Sequence, residues 1–103
     1  MEIPVACTLS AGEVVDRTGE WRHFFASSIE SAQIEQSHLR LRLKHSTEVL
    51  PIAVDLAQRE IECCAFFEFS IVLRSDSYWL IMGVPHGAEG MLHDFARLLP
   101  VDT

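Results

Sequence analysis

Residues 38–44 read HLRLRLK, leucine and a basic or polar residue in strict alternation. A helix would scatter these leucines around its circumference. A strand sends Leu39, Leu41 and Leu43 to one face and Arg40, Arg42 and Lys44 to the other. The chain is therefore expected to contain a sheet with one buried and one wet face, and other segments must supply its remaining strands. From Ser31 onward, "AQIEQ" has the same period, and Ser37 and His38 read either as a tight turn or as part of one bent strand. "AFFEFSIVL" puts Phe67, Phe69, Ile71 and Leu73 on one face, "RSDSY" turns the chain, and "YWLIMGV" returns as its hairpin partner. Near the N-terminus, "IPVACTL" (residues 3–9) alternates Val5, Cys7 and Leu9 and reads as a further short strand.

Between these runs the period changes to that of a helix. "SAGE" at Ser10 is a capping box in which the Ser10 hydroxyl and the Glu13 carboxylate satisfy each other's amides. The helix it opens carries Val14, Trp21 and Phe25 and runs to about Ser27, with Gly19 weakening it by about 1 kcal/mol against alanine. A second helix starts near Ser46 or Thr47 with Pro51 in its first turn, where a missing N–H costs least. Val49, Ala53, Leu56, Glu60, Cys63 and Cys64 fall along one side of it. After "PHGAEG", a last helix presents Met91 or Leu92, Phe95, and Leu98 or Leu99. The order implies one α+β domain over residues 1–103, an antiparallel sheet of four to five strands with two to three helices packed on one face. No internal repeat is legible.

The 103 residues suit a single core. A net charge of −7 with scattered basic residues disfavours direct nucleic-acid binding, because the phosphate contribution to affinity requires clustered Lys and Arg. No apolar run reaches the ~20 residues of a membrane span. "MEIPVACTLS" carries an acid and no basic leader, so a cytoplasmic, reducing location is expected. Three cysteines, an odd number, also fit free thiols better than a disulfide framework.

Those thiols are the chemically distinctive feature. In "REIECCAFFEF" (59–69), Glu60 precedes Cys63 by three residues and Cys64 by four, so all three share a helix face. If that helix covers the strand bearing Cys7, three thiols converge. Three thiolates suit a soft ion such as Hg(II), As(III) or Cu(I), or Zn(II) with a fourth ligand. The competing reading is packing, since free cysteine is among the most buried residue types and here adjoins phenylalanines. Glu60 needs explaining either way: a carboxylate on an apolar helix face reaches solvent, meets an arginine, or serves a site.

The motif E-x-x-C-C-x-F-F, carried by Glu60, Cys63, Cys64 and Phe67 together with Cys7 in "CTLSAGEVVDRTGEW", resembles a poorly characterised bacterial family of small α+β domains. Its members stand alone or are attached to regulators of the mercury-resistance (MerR) class. The resemblance covers most of the chain, with Ala65 where a proline often follows the cysteines. It implies metal or thiol sensing, in the setting of heavy-metal resistance.

The expected function is thus a cytoplasmic binding or sensing protein for a thiophilic metal or metalloid ion (Hg, As, Cu or Zn), with Cys7, Cys63 and Cys64 as ligands and Glu60 as a base behind them or a weak outer ligand. The alternative is a non-metal dimerisation or small-molecule effector module whose cysteines belong to the core. A third class, a thiol redox or hydrolytic enzyme, needs a thiol of depressed pKa, and the sequence leaves enzymatic activity open. The five histidines (His23, His38, His45, His86, His93) form no HxH or HxxxH ligand pair, and "GVPHGAEG" lacks the spacing of a phosphate loop. Phe24 and Phe66 fall off the main apolar faces and are expected at a homodimer patch.

Overall fold

The computed structural model describes residues 11–63 and 67–100, with side chains for 16–62 and 67–100. The element order is α1 (Ala11–Ser28), β1 (Ile29–Ile34), β2 (His38–Leu43), α2 (Val49–Cys63), β3 (Glu68–Leu73), β4 (Tyr78–Gly83) and α3 (Glu89–Ala96). The expected strand at 3–9 lies outside the described residues. Otherwise the α+β architecture is as the periodicities require: a four-stranded antiparallel sheet under three helices. Residues 35–37 turn the chain between β1 and β2, which settles the Ser37–His38 ambiguity in favour of a hairpin.

The sheet order is β1-β2-β4-β3. The chain thus runs helix–hairpin twice, α1-β1-β2 then α2-β3-β4, and joins the two units through the inner strands β2 and β4. This topological repetition was invisible in the sequence because the two units share no residue pattern. The helix-side face is set by register: Leu39, Leu41 and Leu43 stand opposite Met82, Leu80 and Tyr78, which in turn stand opposite Phe69, Ile71 and Leu73. The leucines, Leu80 and Met82 are at most 1% exposed, and each such side chain contributes about 2 kcal/mol of burial. Leu73, at the strand end, is 61% exposed and falls outside this core.

Trp21, Phe24 and Phe25 of α1 close the core from above. Trp21 stacks on Phe69 of β3 at 6.1 Å and meets Phe95 of α3 edge-on at 5.1 Å. Phe24, expected at a dimer patch, is instead 2% exposed. It belongs to the core cluster with Val49, Ala53 and Leu56 of α2, its ring 6.1 Å from that of Trp21 and 6.2 Å from that of Phe25. Phe67 precedes β3 rather than belonging to it, and packs on Phe95 at 5.2 Å.

Among the described residues, the opposite sheet face carries no helix. On it, the guanidinium carbons of Arg40 and Arg42 lie 5.4 and 5.8 Å from the Trp79 ring centroid. These arginines were expected in free solvent. Their guanidinium groups instead lie over the indole, and both residues are half-buried.

Candidate functional site

Helices α1 and α2 run antiparallel. The Ser28 carbonyl at the end of α1 accepts from the Lys44 N–H, five residues before α2 begins, while the middle of α1 meets the last turns of α2. There the Trp21 Nε1–H donates to Glu60 Oε1 at 2.8 Å, and Arg17 Nη1 reaches the same oxygen at 3.3 Å. Arg59 adds a second tie, with Nη1 2.7 Å from Glu20 Oε2 and Nη2 2.9 Å from Asp55 Oδ2. Arg17 Nε lies 3.5 Å from Glu20, so the charges form one ladder across the helix pair. Burial lowers the Arg59 pKa, but hydrogen bonds and charge from Glu20 and Asp55 outweigh it, and the pKa sits above its ordinary value.

Glu60 is 5% exposed. Of its three sequence-level fates it takes the one of meeting an arginine, and it also captures an indole N–H. The Trp21 partnership was missed in the sequence: 39 residues separate the two, and no local spacing signals the contact. Oε1 alone serves both donors, so this carboxylate is a helix–helix clamp whatever else it does.

Cys63 is the last residue of α2, about 4.5 Å along the helix axis beyond Glu60. On the antiparallel neighbour, Ala11 lies about 9 Å beyond Arg17 in the same direction. The N-terminal end of α1 and the C-terminal end of α2 therefore share one end of the molecule. Cys7, Cys64 and the side chain of Cys63 lie outside the described residues, as does Phe66. Of the four expected ligand residues, only Glu60 can be followed to its contacts.

Among the described residues, no group of three or more His, Cys, Asp or Glu side chains is placed to hold a metal ion. His86 faces Glu89 at 3.4 Å in full solvent, and His45 packs over Tyr78 at 4.2 Å. No helix among the described residues is long and apolar enough to cross a membrane. A hollow of about 360 Å3 lies beside β1, lined in part by Phe25, Ile29, Ala32 and Leu99.

Among the described residues, the fold and clamp define an α+β protein of three helices and four strands, with one sheet face that no helix covers. No family model, no curated protein and no solved structure matches this chain. The likeness to the small α+β domains found with MerR-class regulators therefore rests on its motif alone.

Proposed function

We propose that the protein binds a thiophilic metal or metalloid ion through Cys63 and Cys64, with Cys7 as third thiolate and Glu60 behind them. The observation that carries the reading is the antiparallel α1–α2 pair, which brings the start of α1 to the helix end where Cys63 stands. Ala11 is four steps along the chain from Cys7, a tether of at most about 14 Å. The N-terminal end of α1 also carries the positive pole of its helix, which favours thiolates, whereas the C-terminal end of α2 alone would disfavour them. Glu60 is held one turn before Cys63 by Trp21 and Arg17 and acts from behind the site rather than as a direct ligand through Oε1. Sulfur ligands select Hg(II), As(III), Cu(I) or, with a fourth donor, Zn(II).

The test is titration with Hg(II), Zn(II) and Cu(I) under reducing conditions, following stoichiometry and thiol protection together. One ion per chain with three thiols protected is the expected result, and Cys63→Ser or Cys64→Ser should each weaken uptake at least about tenfold while the fold survives. Unchanged uptake in both variants would overturn it. One observation favours a second reading, a non-metal module with core cysteines: Glu60 is accounted for by the clamp without a metal. Under that reading the native thiols resist labelling and no ion is taken up.

A further inference from the structure

Among the described residues, strand β1 is an edge strand whose helix-side face is largely uncovered. Register assigns that face: Ile29, Ala32 and Ile34 stand opposite the core residues Leu43, Leu41 and Leu39. Yet Ala32 is exposed and Ile34 is 43% exposed. At the other end of the same face is the hollow of about 360 Å3 beside Phe25, Ile29, Ala32 and Leu99. One edge thus carries an apolar knob at one end and, at the other, a hollow of mixed lining in which Glu30 and Ser31 join the apolar side chains. β1 also lacks the lysine or proline that commonly guards an edge, and its bulge distorts only the Ile29–Ser31 end.

We infer that β1 is a homodimerisation edge, pairing antiparallel with β1 of a second copy about a two-fold axis at Ala32. The proposal is independent of the thiol site. Pairing about Ala32 sets Ser31 against Gln33 of the other copy, neutral against neutral. Ile34 then falls opposite Glu30, next to Ile29, about 7 Å from the axis and at the mouth of the other copy's hollow. Two-fold symmetry makes this insertion reciprocal, as a closed interface requires. The charge on Glu30 is already met by Arg42 at 3.4 Å within its own chain, so pairing buries no unpaired acid.

A strand edge about 20 Å long in a slab about 20 Å deep presents about 400 Å2 in projection per copy, the size of a weak, concentration-dependent contact rather than a permanent one. The rival occupants are the chain before Ala11 and Val101–Thr103, which follows Pro100 at the rim of the hollow.

Sedimentation velocity across a dilution series should give a species of twice 11.6 kDa. Ile34→Asp should weaken its association at least about tenfold while circular dichroism stays unchanged. Because opposed residues in antiparallel strands sit about 4.5–5.5 Å apart, Ala32→Cys should form a disulfide with itself, identified by peptide mapping. Leu73→Cys on the opposite edge should not. A monomer at all concentrations, or a dimer cross-linked through position 73, overturns the proposal. So does β1 amide protection that depends on the chain before Ala11 or on Val101–Thr103 rather than on concentration.

Discussion

Glu60 shows how one buried charge can organise a helix pair. Its Oε1 takes the Trp21 N–H and an Arg17 N–H, so removing the carboxylate leaves a nearly buried indole N–H and a mostly covered guanidinium short of their acceptor. Glu60→Ala is expected to cost about 3 kcal/mol, in the range for breaking a buried charge-assisted contact. Trp21→Phe keeps most of the ring contacts with Phe25, Phe69 and Phe95 and loses one hydrogen bond to a charged group. It should cost less, about 2 kcal/mol. Urea denaturation of both variants checks the order. If Trp21→Phe costs more, ring packing rather than the hydrogen bond is what the indole supplies.

Among the elements, α3 has a start that depends on a titrating side chain. Ala88 at its N-cap makes no side-chain capping bond, and Gly87 before it takes φ +98°, a left-handed conformation that costs glycine little. The Glu89 carboxylate fills the gap by accepting the Gly87 N–H at 2.8 Å. Hydrogen bonding from its own backbone N–H holds the Glu89 carboxyl below its ordinary value. Desolvation opposes this, while the Gly87 N–H and nearby His86 reinforce it. Folding lowers this pKa, so the stabilisation is full above the unfolded-state value and fades as pH falls through the folded one. The start of α3 should loosen in that acidic window, read as faster exchange of the Gly87 amide. In Glu89→Gln the loosening should disappear. If Gly87 exchange follows the same course in both proteins, the carboxylate does not hold the turn.

For the whole molecule, the two helix–hairpin units meet only through the β2–β4 ladder within the sheet, from His38↔Gly83 to Leu43↔Tyr78. Leu41 and Leu80, opposed at its centre, are both fully buried. Separating these strands divides the sheet, so their amides should exchange only through global unfolding. Edge strand β1 and helix α3 should open at lower free energy. Native-state hydrogen exchange checks this: β2 and β4 amides that exchange faster than those of α3 would place the most stable unit elsewhere. Added protection of β1 at high protein concentration is the same experiment's view of the dimer edge.

How much was legible follows from the range of the forces involved. HLRLRLK determined its strand, its inward leucines and a sheet with one buried face, because alternation is a local geometric property. Helical spacing likewise determined α2 with Pro51 in its first turn, and the α+β class followed from the order of periods. For the candidate site, sequence offered E-x-x-C-C on one helix face and the expectation that Glu60 needed a partner. Tertiary structure alone decided which partner, because Trp21 and Arg17 arrive from a helix some 40 residues away. It also decided the burial of Phe24, the joining of two units through β2 and β4, and the draping of Arg40 and Arg42 over Trp79. Each depends on which surfaces meet across the fold, and a local residue pattern carries no record of that.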